Sequence, residues 1–320
     1  MKLLILGGTV FLGRALVEAA QQHGHEVTLF NRGKSAPTLF PDVEQIHGDR
    51  ATDLAALKGR NWDAVIDTCG YVPRITRIAA ETLAEAVDRY VFISSISAYA
   101  DFSKPGLDES HPVATLQDPQ TEEITNETYG ALKALCEQAV EQAMPGRALI
   151  IRPGLIVGPH DRSDRFTSWV CRVARGGEMM APGNPGDAIQ IIDVRDLAEW
   201  TVRMAEARKT GVYNATGPAE PLSMRTFLEE CQAVSRSNAQ FVWVDEPFLV
   251  ERDIILQPWV PAEYEGMRSA NCGRAIADGL TFRPLSETIQ ATLEWKGDSE
   301  LRYGLKPEQE EKLLSDWKSS

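Results

Sequence analysis

The stretch that decides the fold reads Met1-Lys-Leu-Leu-Ile-Leu-Gly7-Gly8-Thr9-Val10-Phe11-Leu12-Gly13, runs on as an amphipathic segment to Gly24, and resumes as Glu26-Val-Thr-Leu-Phe30-Asn31-Arg32. This is strand, glycine turn, helix, strand. The apolar run from Leu3 to Leu6 ends in Gly7-Gly8, where the lack of a Cβ permits a tight turn and brings backbone N–H groups close to an anion. The helix that follows aims the positive end of its dipole at the same place, and Gly13 lets that helix pack closely on the strand. A turn of this kind, set between a strand and a helix, holds the pyrophosphate of a dinucleotide. Gly7, Gly8, Thr9, Phe11, Leu12 and Gly13 are therefore candidate cofactor contacts. Gly7 and Gly13 fit the spacing G-x-x-G-x-x-G, but Val10 occupies the middle glycine position, so the backbone over the pyrophosphate is expected to run differently there.

The chain has 320 residues, enough for a large core and one or two domains. A formal charge of −13 argues against nucleic acid as the main partner, because phosphate backbones are held by clustered Lys and Arg. The five cysteines, Cys69, Cys136, Cys171, Cys231 and Cys272, are odd in number and scattered. They suggest neither a disulfide framework nor a zinc site, and a reducing, cytoplasmic setting is expected. No His/Cys/carboxylate cluster with metal-ligand spacing stands out. The apolar start is too short and too broken by glycine for a signal peptide or a membrane span.

Strand and helix patterns then alternate. Strands are expected at Val43–His47, Trp62–Thr68, Tyr90–Ser94 and Ala148–Arg152, with helices over about Thr52–Lys58, Pro73–Val87 and Glu127–Ala143. Six strands with intervening helices predict an α/β, doubly wound parallel sheet with ligand at the carboxyl ends of its strands. Beyond Gly154 the pattern loosens, with strands at Ile189–Asp193, Val212–Ala215 and Phe241–Val244, a helix capped by Ser223, and a charged helix within 298–320. The organisation predicted is a dinucleotide-binding domain over residues 1–157, to which a strand and helix at 188–208 return, and a smaller, partly discontinuous substrate domain over 158–187 and 209–320.

The second decisive stretch is Thr128-Tyr129-Gly130-Ala131-Leu132-Lys133. Residues four apart on a helix share a face, so Tyr129 and Lys133 point the same way. A free phenol with a pKa of about 10 is a poor base at neutral pH; a nearby ammonium would lower that pKa and make Tyr129 a usable acid/base. Ser94-Ser95-Ile96-Ser97-Ala98-Tyr99 follows a buried strand, where a hydroxyl could hydrogen-bond a substrate oxygen.

In these motifs the chain resembles the short-chain dehydrogenase/reductase superfamily, in its extended and atypical branches of NAD(P)-dependent epimerases, dehydratases and reductases. The resemblance rests on GGTVFLG at 7–13, GD at 48–49, SSISAY at 94–99, LDESHP at 107–112, YGALK at 129–133, RPGLIVGP at 152–159 and IIDVRDLA at 191–198, and spans about residues 1–235. It implies a Rossmann fold and a Ser95–Tyr129–Lys133 triad, with Tyr129 exchanging the proton, Ser95 orienting the substrate and Lys133 binding the nicotinamide ribose. It also implies cofactor contacts at Asp49, Gly70 and Pro153. Two helices per subunit pair in many such proteins, so a homodimer is an expectation by analogy.

At the end of the second strand, where NAD sites carry an acidic residue for the ribose 2′-hydroxyl, this chain has Asn31-Arg32, with Lys34 nearby. An amide does not repel a phosphate and an arginine can meet one with two charged hydrogen bonds, so NADP(H) is favoured over NAD(H). The other reading is that Arg32 stacks on adenine in an NAD site. Arg162, Arg165 and Arg195 could bind an anionic substrate group, with Ser97 beside them, or could pair with Asp161, Asp164 and Asp196 at a domain junction. Trp169, Trp259 and Tyr264 could line an aromatic pocket or simply pack. The activity expected is an NADP-dependent reductase or dehydrogenase acting on a carbonyl or alcohol of a small molecule. A nucleotide-sugar epimerase or dehydratase that retains its nicotinamide is the alternative, and a non-catalytic or RNA-binding member the third.

Overall fold

The computed structural model describes residues 1–320. The first half alternates β1 (Lys2–Leu6), α1 (Phe11–Gln22), β2 (Glu26–Asn31), β3 (Glu44–His47), β4 (Trp62–Asp67), α2 (Pro73–Leu83), β5 (Val87–Ile93), α3 (Tyr129–Ala143) and β6 (Ala148–Pro153). The second half runs β7 (Leu155–Val157), α4 (Thr167–Arg175), β8 (Glu178–Pro182), β9 (Ala188–Ile189), β10 (Ile191–Asp193), α5 (Val194–Glu206), β11 (Gly211–Ala215), β12 (Leu222–Ser223), α6 (Met224–Ser235), β13 (Gln240–Val244), α7 (Glu246–Val250), α8 (Gly273–Ala277), α9 (Leu285–Lys296) and α10 (Pro307–Lys318).

Seven strands form one parallel sheet in the order β11-β6-β5-β4-β1-β2-β3. Leu3, Leu4, Ile5 and Leu6 are wholly buried, as expected for a strand covered by helices on both faces. One face packs Leu3 and Ile5 with α1 and α5; the other packs Leu4 and Leu6 with α2, α3 and the 3₁₀ turn at Leu54–Leu57. A third core gathers α4, α6, α9, α10 and the β8–β13 pair around Phe166, Phe227 and Trp259.

Several expectations need correction. The helix begun by Pro73 stops at Leu83 rather than Val87, because Val87 pairs with Trp62 and opens β5. Thr52–Lys58 yields only one 3₁₀ turn. Residues 188–193 do not rejoin the main sheet: β9 pairs with β12 and β10 with β7. What returns is helix α5, which packs on α1, together with β11, the seventh strand, and Ala275 and Leu280 around α8. The second unit thus surrenders 211–215 and about 273–280 to the first. All five cysteines are free, and no helix is long and apolar enough to cross a membrane.

A buried polar chain fixes the carboxyl edge of the sheet. The Ser94 hydroxyl donates to the Glu137 carboxylate, which also accepts from Arg152 Nε at 2.9 Å and Nη2 at 2.6 Å. The Arg152 guanidinium lies over the Tyr99 ring at 4.7 Å, and the Tyr99 hydroxyl donates to Asn214 Oδ1 at 2.7 Å. Asn214 in turn donates from its backbone to Glu109 at 2.7 Å and from its amide to the Leu107 carbonyl at 3.0 Å. The polar stretch that follows β5 is thereby tied to α3, β6 and β11. Glu137→Ala should cost about 3–5 kcal/mol, since it strands the Arg152 charge in the interior. Urea unfolding measures this, and a loss below about 1 kcal/mol would show that the pair contributes little beyond what a surface pair does.

Candidate active site

β1 and β4 are sheet neighbours, yet the chain leaves β1 toward β2 and β3 and continues from β4 toward β5 and β6. The crevice at such a switch point lies beyond the carboxyl ends of the strands, where doubly wound folds bind ligands. A cleft of about 870 Å³ opens there, between the sheet and the second unit. Gly7, Gly8, Thr9, Val10, Phe11, Leu12, Gly13, Asn31, Arg32, Asp49, Tyr71, Ser95, Ser97, Tyr129, Lys133 and Pro153 line it from the sheet side. Arg162, Arg165, Gln257 and Arg268 line it from the other.

The glycine turn is built for close approach. Gly7 and Gly8 have φ of +109° and +93°, a region that side chains disfavour. A Cβ on Gly13 would lie 2.7 Å from the Gly8 nitrogen, so that position holds helix and turn together. Val10 is accommodated because its backbone is extended, at φ −135° and ψ 133°. The unusual dihedral falls instead on Phe11, at φ +39°. No side chain caps α1 and its first turn carries no acidic residue, which leaves its leading N–H groups open to an anion. The uncapped turn and the Gly13 contact fit a dinucleotide pyrophosphate.

At the end of β2 the Asn31 amide is committed locally: its Oδ1 accepts from the Gly33 N–H at 2.7 Å, and its Nδ2 donates to Gln45 at 3.3 Å. Arg32 and Lys34 line the cleft, exposed and without an ionic partner in the chain. Asp49 is exposed at the rim, its carboxylate accepting from the Ala51 N–H at 2.9 Å. Arg50, which also lines the cleft, points inward. It forms a two-pronged pair with the wholly buried Asp67, at 2.8 and 2.7 Å, and Tyr90 donates to the same carboxylate at 2.8 Å.

Tyr129 and Lys133 begin α3 and share its inner face. Gly130 makes the approach possible, because a Cβ there would overlap the Ser97 carbonyl oxygen at 2.0 Å. Helix α3 can therefore press against the turn that carries Ser95 and Ser97. Ser95 Oγ accepts from the Ser97 N–H at 3.0 Å, while the neighbouring Ser94 is consumed by Glu137. Lys133 is buried; its ammonium donates to the Gly70 carbonyl at 2.8 Å and the Ile93 carbonyl at 2.7 Å, and lies 4.4 Å from the Phe92 ring centre. Burial depresses it to about 8. Gly70 thus sits behind the lysine rather than on the cleft wall. The sequence expectation for Tyr129 is modified: burial raises its phenol, and what opposes the rise is the Ser95 hydroxyl and the Arg165 charge. Tyr71, whose ring centre is 6.5 Å from that of Tyr129, is a cleft residue that no motif announced.

On the far wall Arg165 donates from Nε to Ser163 Oγ at 3.0 Å and from Nη1 to Gln257 at 2.8 Å, and Arg162 is exposed without a partner. Arg195 does not belong with them. It donates to Asp193 at 2.9 and 2.7 Å, at the start of α5 and outside the cleft. Asp193 also accepts from Thr288 at 2.7 Å and Asp196 from Arg283 Nε at 2.7 Å, so this cluster pins α9 to α5. Asp164 is likewise bound to Lys296, at 3.0 Å. Arg268 is a further residue that sequence reasoning missed. It is 9 % exposed, lines the cleft, and its Nη1 has no hydrogen-bond partner, with Asp187 3.8 Å away. Trp169 and Trp259 pack in the third core, and neither they nor Tyr264 reach the cleft. His160 meets Arg14 and Trp295, also outside it. A His/carboxylate cluster that the sequence did not reveal, His23, His25 and Glu206, forms well away from the cleft.

The description NAD dependent epimerase/dehydratase family matches residues 3–216. Over 259 residues the chain is 27% identical to 2-alkyl-3-oxoalkanoate reductase of Stenotrophomonas maltophilia (strain K279a), covering 73% of this chain and 75% of that one. It is 26% identical over 234 residues to the chloroplast stem-loop binding protein of 41 kDa b of Arabidopsis thaliana, covering 68% and 58%. UDP-glucuronic acid 4-epimerase from Bacillus cereus, solved in complex with NAD, shares the fold with a TM-score of 0.68 at 18% identity, over 92% of this chain and 98% of that one. The family match runs from β1 through β11 and so takes in the whole parallel sheet: the chain belongs to the NAD-dependent epimerase/dehydratase family and is an NAD(P)-dependent enzyme of the short-chain dehydrogenase/reductase type.

Proposed function

We propose that the protein is an NADP(H)-dependent reductase or dehydrogenase of a small-molecule carbonyl or alcohol, with Tyr129 as the proton-exchanging group, Ser95 as the group that orients the substrate oxygen, and Lys133 as the charge beside them. The observation that carries this reading is the meeting of Tyr129, Ser95 and Lys133 at the sheet side of a cleft that continues to the glycine turn. Bound nicotinamide supplies or accepts the hydride. In the reductive direction the Tyr129 hydroxyl gives its proton to the substrate oxygen, and Ser95 holds that oxygen by hydrogen bonding. The Ser95 hydroxyl and the Arg165 charge favour the phenolate left behind. The relative at 27% identity is itself named as a reductase.

NADP(H) is favoured because Arg32 and Lys34 stand unpaired at the end of β2, where no carboxylate competes for a 2′-phosphate. Glycine turn, α1, Asp49 and Pro153 would hold the rest of the dinucleotide. Arg268, whose Nη1 makes no hydrogen bond, and Arg162 both line the cleft and suit a substrate that carries a carboxylate or phosphate. The same pair supports the second reading, a nucleotide-sugar epimerase or dehydratase; stoichiometric loss of NADPH against a panel of acidic carbonyl compounds distinguishes the two.

Tyr129→Phe should lower kcat by about 10²–10⁴-fold and leave the NADPH dissociation constant unchanged; turnover at the wild-type rate would remove the tyrosine from the mechanism. Lys133 is charged below about pH 8 and neutral above it, so kcat/KM for reduction, which reports the free enzyme, should hold level below about pH 8 and fall above it. Arg32→Ala should weaken NADPH by about 10-fold to 100-fold, the worth of a charged hydrogen bond, and leave NADH unaffected. Equal weakening of both cofactors would assign Arg32 to the adenine instead.

A further inference from the structure

Helix α1 ends at Gln22, and the turn that leads into β2 presents His23 and His25 on either side of Gly24. Helix α5, which packs along α1, ends at Glu206. A single carboxylate oxygen of Glu206 lies 3.0 Å from His23 Nδ1 and 2.7 Å from His25 Nε2. The three donor atoms fall within 4.8 Å of one another.

We propose that His23, His25 and Glu206 form a binding site for a zinc-class divalent metal ion that staples α1 to α5. Two imidazole nitrogens and one carboxylate oxygen are the donors zinc takes, at about 2.0–2.2 Å in tetrahedral array, which sets neighbouring donors about 3.3 Å apart. The two imidazole-to-carboxylate spacings are within a small side-chain movement of that figure. Nitrogen donors exclude magnesium and calcium, which take oxygen. His25 is held in place from its other side, where Nδ1 lies 3.2 Å from the Met1 amine. The His23 and Glu206 side chains are 29% and 33% exposed, which admits the ion and leaves its fourth position to water. No arginine or lysine pairs with Glu206, so nothing in the chain competes for its charge. His47, His111 and His160 gather no such set of three, and the cysteines are scattered. The site lies at the far end of α1 from the glycine turn, about 18 Å for a 12-residue helix. It therefore bears on the stability of the helix pair and not on the cleft.

The test uses the full chain without a histidine tag. Zinc chloride is titrated by calorimetry, and thermal unfolding is followed with zinc and with a chelator. One ion per chain is expected, with unfolding shifted upward by zinc. Glu206→Gln, which keeps hydrogen-bonding capacity and shape, and His23→Ala should each weaken zinc by about tenfold or more and lose the thermal shift. Their unfolding in the presence of chelator reports whether the fold itself persists. A chain that takes up no zinc, or variants weakened by less than this, overturns the site.

Discussion

The arrangement of the cleft depends on a carboxylate and a guanidinium kept together in the interior. Glu137 lies one turn beyond Lys133 on α3, and Arg152 lies at the end of β6. Their pairing sets how α3 sits against the sheet, and so sets where Tyr129 and Lys133 point. Ser94 joins the pair from just past the end of β5 and Tyr99 carries it onward to Asn214 on β11. Four elements and one long loop are thus indexed to a single buried charge pair. Such a pair is poor as a source of net stability but effective as a means of rejecting other arrangements, because any shift leaves a charge without a partner.

A second constraint is that the cleft lies between two separately packed bodies. Its floor belongs to the sheet and the cores on its two faces, and the Arg162–Arg165 wall leads into the core built around Phe166, Phe227 and Trp259. The two are joined where Asp196 accepts from Arg283 and Asp193 from Thr288, linking α5 to α9, while Asp164 with Lys296 ties the entry of α4 to the end of α9. Arg195, a binding candidate in sequence, and Asp164 and Asp196, the partners of the alternative reading, fall within these contacts. They are joints.

That contrast explains what could be read in advance. The glycine turn, the parallel sheet and the Tyr129–Lys133 face are local in sequence, and periodicity and spacing report them. Where the second half contributes, local pattern fails. Arg195 sits in a motif yet bonds two residues back, and Arg268 sits in no motif yet lines the cleft. Arg50 pairs across 17 residues and Glu206 meets His25 across 181. Strand-against-helix competition at Val87 was decided by pairing with Trp62, which local propensity does not see. The state of the tyrosine also needed the structure, because Lys133 spends its protons on two backbone carbonyls.

Val10 looked like the residue most out of place, and its surroundings give it a different meaning. It is the N-cap of α1, a position where Ser, Thr, Asp or Asn would turn an oxygen onto the first free amides. Each of those would be an internal rival for the ligand. Valine has nothing to offer an amide, so it keeps the helix end unsatisfied much as glycine would, at the cost of a bulky neighbour held at positive φ. The departure from the family pattern therefore preserves what the pattern provides: a helix that begins with its hydrogen bonds still to be made.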